Sequence, residues 1–157
     1  MRSILGEIVS ESDDITVMDM EASIEHLSRG TVRHVDALLV VTEPYYRALE
    51  TARRTVPLAR GLGINRIFAV ANKLRSPEDE QAVKDFCAKH DLEIIATIPF
   101  DQNVTQADLL GRSLIDFNPD SSVVTEVTKL AARLRQRVPN NCSSAPKTPK
   151  TWTKPNC

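Results

Sequence analysis

The run Asp36-Ala-Leu-Leu-Val-Val-Thr42 constrains the fold more than any other stretch of the chain. A continuous apolar run of strand length, closed here by Glu43-Pro44, marks a strand buried on both faces. Such strands belong to parallel sheets covered by helices on either side. Three more runs fit the same rule. Ile15 to Met18 reads as a short buried strand ending at Asp19. Arg66 to Ala71 reads as a strand leading into Asn72-Lys73. Leu92 to Ile98 reads as another, stopped by Pro99-Phe100-Asp101. Helical spacing fills the intervals. Tyr45 to Leu62 carries Leu49, Ala52, Val56, Leu58 and Ala59, with Pro57 predicting a kink or break and Gly61 and Gly63 the stop. Ser76-Pro77-Glu78-Asp79 is a helix start, with Ser as N-cap and Pro at the first helical position. It leads into a helix through Ala82, Val83, Phe86 and Cys87. Val104 to Leu110 predicts a short helix ended by Gly111, and Val123 to Val138 a final amphipathic one. Met1 to Ser10 also has helical spacing, and Ser23 to Arg29 suits a short helix or an ordered loop ending at Gly30. Strands alternating with helices imply right-handed parallel crossovers. The fold class expected is therefore α/β, a three-layer sandwich with a mostly parallel sheet.

At 157 residues the chain suits one domain, expected over residues 1–138. Residues 139–157 differ in composition. Pro139, Pro146, Pro149 and Pro155 stand among Ser, Thr, Asn and Lys, and such a segment buries too little apolar surface to order itself. A disordered tail is expected there. Net charge is −1, so no basic field directs the chain to nucleic acid. No apolar run reaches the ~20 residues of a membrane span. Glu7 and Glu11 interrupt any secretory apolar region, which makes a cytoplasmic protein the expectation. Cys87, Cys142 and Cys157 are odd in number and form no CxxC, so neither a disulfide framework nor a zinc site is supported.

The unusual polar residues follow the strands: Asp19 and Glu21, then Glu43, then Asn72-Lys73, then Asp101. Parallel strands bring their carboxyl ends to one edge, where α/β sheets bind ligands. An acid at such a position typically holds the water shell of Mg²⁺ in phosphate-binding folds. The same spacing also suits a polar loop that caps the next helix. An Asn amide both donates and accepts, so Asn72 can read a purine edge or cap a turn. Lys73 offers a methylene stem for stacking or a plain surface charge. His26 has a pKa range suited to switching, or a structural role near its loop. The five glycines (Gly6, Gly30, Gly61, Gly63, Gly111) form neither GxxxxGK[ST] nor GxGxxG, so the sequence contains no phosphate-binding loop.

The stretch Val17-Met-Asp-Met-Glu-Ala-Ser-Ile-Glu-His-Leu-Ser-Arg-Gly-Thr31 resembles the second phosphate-sensing segment of the MinD/ParA class of deviant-Walker ATPases. Within that class the likeness is greatest to the carbon-monoxide-dehydrogenase accessory, nickel-inserting ATPases. Val40 to Ala52, Val70-Ala-Asn-Lys-Leu-Arg75 and Ile98-Pro-Phe-Asp101 continue the match in order, and it covers about Met1 to Leu130. The resemblance implies catalytic roles for Asp19 and Glu21, with Asp19 positioning Mg²⁺ through bound water. It implies nucleotide contacts at Asn72, Lys73, Pro99, Phe100 and Asp101, with ATP or ADP and Mg²⁺ as cofactors. It further implies a dimer closed by ATP and a metalloenzyme client. The family usually has glycine where Ser23 and Ser28 stand, and Ser23 weakens the expected backbone approach to the γ-phosphate.

The family's first strand, phosphate loop and paired cysteines have no counterpart in these 157 residues. The expectation is the C-terminal part of such an ATPase, a truncated fragment with an incomplete P-loop fold and no independent hydrolysis, whose expected partner is a second copy or the missing N-terminal half. An unfilled place is expected between the strand ending at Asp19 and the strand Asp36 to Thr42. Two other functions fit the same residues: a non-catalytic α/β module that binds a protein partner, and another MinD/ParA-class ATPase such as a partitioning or positioning factor.

Overall fold

A computed structural model describes residues 15–20 and 35–137. Three strands form its sheet: β1 (Leu38–Thr42), β2 (Ile67–Leu74) and β3 (Glu93–Pro99). They pair in the order β1-β2-β3, and both pairings are parallel. Helix α1 (Tyr46–Gly61) connects β1 to β2, and α2 (Pro77–Lys89) connects β2 to β3. After β3 come α3 (Gln102–Leu109), the short α4 (Leu114–Phe117) and α5 (Ser122–Arg137).

Helices cover both faces of the sheet. On one face, Ala52, Val56 and Ala59 of α1 and Val83 and Cys87 of α2 pack on Val40, Ala69, Ala71 and Leu74. On the other, Val123, Leu130 and Leu134 of α5 pack on Phe68, Val70, Ile95, Ala96 and Ile98. This is the α/β three-layer sandwich with a parallel sheet that the alternation of runs predicts.

Local chemistry sets the boundaries. The Ser76 hydroxyl accepts the Asp79 N–H at 3.3 Å and starts α2, with Pro77 at the first position. Gly63 has φ of 87° and ends α1. Its N–H donates to the Arg60 carbonyl and the Ile64 N–H to the Ala59 carbonyl, the paired bonds of a Schellman motif. Gly111, with φ of 62°, closes α3 in the same way.

Three expectations are corrected. Ile15 to Met18 forms no strand: residues 15–20 have no regular structure, and Ile15 and Val17 are 59% and 88% exposed. An apolar run becomes a buried strand only when a neighbour pairs with it and layers cover it. Among the described residues, none hydrogen-bonds its backbone. Only Met20 is anchored, packing partly buried against the α1–α2 cluster. The second correction concerns Pro57, which neither breaks nor interrupts α1. It lies on the exposed side, where water can satisfy the carbonyl it leaves free, while Val56 and Ala59 hold the helix to the sheet. The third is that β2 does not stop at Ala71 but runs to Leu74. A register irregularity lies between Ala71 and Leu74, and Lys73 adopts a left-handed φ of 57°. The expected helix at Met1 to Ser10, the Ser23 to Arg29 segment and the tail 139–157 lie outside the described residues.

Candidate functional site at the carboxyl ends of the strands

Each strand delivers a polar or aromatic group to the same edge. β1 ends at Thr42, and Glu43 follows, half-buried. β2 ends through Asn72, Lys73 and Leu74, and Arg75 follows. β3 ends at Pro99, followed by Phe100 and Asp101. Parallel pairing makes these neighbours: Thr42 is in register with Ala71, and Leu74 with Pro99.

Contacts join them into a row. Lys73 Nζ lies 2.7 Å from Glu43 Oε1, linking the end of β1 to that of β2. Asn72 is half-buried, and its Oδ1 accepts the Lys73 N–H at 3.0 Å. That bond holds the left-handed turn that throws the Lys73 side chain toward β1. The Phe100 N–H donates to the Leu74 carbonyl at 2.8 Å, so the β2–β3 ladder continues past the end of β3. The Arg75 guanidinium lies 4.6 Å from the centroid of the Phe100 ring, and that residue is 43% exposed. The Arg75 backbone N–H donates to Asp79 Oδ2 at 2.9 Å, tying it to the start of α2.

Asp101 turns away from this row. Its Oδ1 accepts the Asn103 N–H at 2.8 Å and the Asn103 side-chain amide at 2.7 Å, capping α3. The Asn103 backbone N–H is the main cause holding the Asp101 carboxyl below the usual carboxylate range. Asp101 therefore orients the chain after Phe100, and its carboxylate is already engaged.

The structure thus gathers Glu43, Asn72, Lys73, Pro99, Phe100 and Asp101 at one edge. Asp19 is exposed and makes no hydrogen bond or ion pair with another described residue. Its neighbour Met20 keeps it within one residue of the α1–α2 cluster. Glu21, Ser23, Glu25, His26 and Ser28 lie outside the described residues. No three His, Cys, Asp or Glu side chains among the described residues gather to hold a metal ion. Arg75 escaped the sequence reading. The available signal was its place between the end of an apolar run and the Ser76 cap, at an edge that also receives an aromatic residue.

A parallel α/β sandwich with its polar groups at the strands' carboxyl edge has the architecture of the doubly wound nucleotide-binding proteins. Comparison with known proteins narrows that class. The chain is 42% identical over 119 residues to the carbon monoxide dehydrogenase accessory protein CooC of Rhodospirillum rubrum, covering 76% of this chain and 44% of that protein. It is 35% identical over 131 residues to an uncharacterized ATP-binding protein of Methanocaldococcus jannaschii, covering 83% and 49%. The cell division ATPase MinD of Pyrococcus furiosus shares the fold, with a TM-score of 0.67 at 22% identity over 87% of this chain and 58% of that one. No family model matches. The chain belongs to the MinD/ParA family and spans about half the length of the curated relatives it matches.

Proposed function

We propose that this chain forms the base-recognising side of an adenine-nucleotide site in a MinD/ParA-type ATPase of metallocentre assembly. By its likeness to CooC, the client would be an enzyme of the carbon-monoxide-dehydrogenase kind, and the family resemblance of the sequence implies nickel as the cargo. Asn72 carries the reading. Its amide stands at the carboxyl end of the central strand, half-buried, directly after Ala71, which pairs with Thr42 on one side and Thr97 on the other. The Lys73 N–H uses one lone pair of Oδ1, which leaves the other and the amide N–H groups for the acceptor and donor of an adenine edge. Lys73, Pro99 and Phe100 would complete the base site at this edge, with Asp101 holding the turn after Phe100.

Asp19 and Glu21 belong to the metal and water side of the site. The Asp19 carboxylate is exposed and unengaged among the described residues. That suits Mg²⁺, which keeps several waters and takes only one or two carboxylates. Asp19 would hold that water shell, and the ion would supply charge neutralisation at the phosphates. The phosphate cradle is not encoded in these 157 residues. We assign it to polypeptide beyond them, in the same protein or a dimer partner. The chain alone then binds nucleotide weakly, in the millimolar range, and does not accelerate hydrolysis. A cytoplasmic location fits this function, and no helix among the described residues is long and apolar enough to cross a membrane.

Titration followed by NMR tests the reading. ATP should bind more tightly than GTP by about tenfold, and Asn72→Ala should erase the difference. Equal binding of the two nucleotides, unchanged by Asn72→Ala, would refute base recognition at this edge. A second reading, a protein-interaction module, draws support from Leu109, Leu110 and Ile115, which α3, α4 and their connection leave exposed. Capture of a protein client without any nucleotide effect would favour it.

A further inference from the structure

Arg75 and Phe100 do more than pack on each other. We propose that they are the two jaws of a clamp for the purine base, with the Phe100 ring beneath the base and the Arg75 guanidinium above it. The inference rests on the nucleotide reading given above and adds to it the residues that grip the ring faces.

Three observations carry it. First, both jaws are hinged at fixed points. Phe100 is tied to β2 through the Leu74 carbonyl, and Arg75 to the start of α2 through Asp79. Second, the guanidinium makes no ion pair among the described residues, although Lys73 beside it is paired with Glu43. Its central carbon instead lies over an aromatic ring, 4.6 Å from the centroid, at the carboxyl edge of the sheet. Third, the residue carrying that ring is 43% exposed at the same sheet edge as the half-buried Asn72. An apolar ring open to water at a polar edge is a surface that gains by being covered.

Stacking between an aromatic ring and a guanidinium plane accepts any planar base, so the clamp supplies affinity. The Asn72 amide would supply the choice of adenine. In the free protein the guanidinium covers the ring itself, and a base entering between them lifts it by one stacking layer. Arg112 over the Phe117 ring, at 5.8 Å, gives an internal control. That pair joins the residue after Gly111 to the end of α4.

The test uses the 157-residue chain, with ATP and inorganic triphosphate as separate probes followed by NMR. Arg75→Lys keeps the charge and loses the plane, and Phe100→Leu keeps an apolar side chain and loses the ring. Each should weaken ATP binding about fivefold and leave triphosphate binding unchanged. Arg112→Ala should change neither, and melting temperatures should stay near wild type in all three. ATP binding untouched by Arg75→Lys overturns the clamp and leaves the nucleotide reading standing. An equal loss for triphosphate also overturns it, because charge alone then explains Arg75. A wild-type chain that binds triphosphate and ATP equally overturns the nucleotide reading and the clamp with it.

Discussion

The two faces of the sheet are built differently. The face under α1 and α2 is sealed: Ala52, Val56, Ala59, Val83 and Cys87 are all buried there against all three strands. The face under α5 has one helix among the described residues, and no residue of that helix is fully buried. Phe68, Val70 and Ile95 are covered there, but Val41 of β1, whose neighbours Ala37 and Leu39 pack toward this side, is 59% exposed. Polar ties supplement the thinner packing. Arg133 Nη1 donates to the Ile95 carbonyl at 2.6 Å, and Arg137 lies 2.9 Å from Glu93. One face therefore carries the weight of stability. The other is where more chain or a partner can add without disturbing what is already packed.

Substitutions on the two faces should separate accordingly. The largest effect is expected from Val83→Ala on the sealed face, about 2–3 kcal/mol by denaturant unfolding, because the cavity it leaves has no route to water. Leu134→Ala on the other face removes more atoms yet should cost only about 1 kcal/mol, since its side chain is half-buried. Equal costs would mean that α5 seals its face as well as α1 and α2 do. Arg137→Ala should cost less than about 0.5 kcal/mol, because its pair with Glu93 is exposed on both sides and water screens it. The smallest effect belongs to the outer surface of α1. Hydrogen bonds from Arg53, then from Arg54, hold the Glu50 carboxyl down from 4.5 to about 2. A carboxyl lowered in the folded state stabilises it fully above its unfolded pKa and loses that contribution as pH falls through the folded value. Any advantage of wild type over Glu50→Gln in thermal melts should therefore be present at pH 6 and fade between about pH 4.5 and 2. An advantage that persists unchanged at pH 2 would show that the arginines act by packing and not by charge.

Much of this was legible in the sequence, for identifiable reasons. The three observed strands are runs of Val, Ile, Leu and Ala that no amphipathic helix would use, and Ser76-Pro77 fixes the start of α2 by chemistry that acts within one turn. The convergence of Glu43, Asn72, Lys73 and Phe100 follows from parallel pairing alone. What escaped depends on partners distant in sequence. Ile15 to Met18 has the composition of a strand, but composition names no neighbour to pair with. Pro57 does not break α1 because its cost depends on whether it faces water. Arg75 escaped because a stack on Phe100 joins two loops 25 residues apart, and α4 because four residues carry no periodicity.

The irregularity at Asn72-Lys73 has a consequence for the whole strand. Up to Ala71, odd-numbered residues of β2 point to the α1–α2 side and even-numbered ones to the α5 side, yet Leu74 packs with Ala69 and Ala71. The extra residue inverts the phase of the strand. Loss of Lys73 would restore plain alternation with the Leu side chain still toward α1 and α2, and would remove the left-handed turn that carries the Lys73–Glu43 pair. One residue more before Leu74 would instead turn that side chain toward α5 and Arg75 with it. Here a single-residue insertion should be more damaging than the deletion of Lys73.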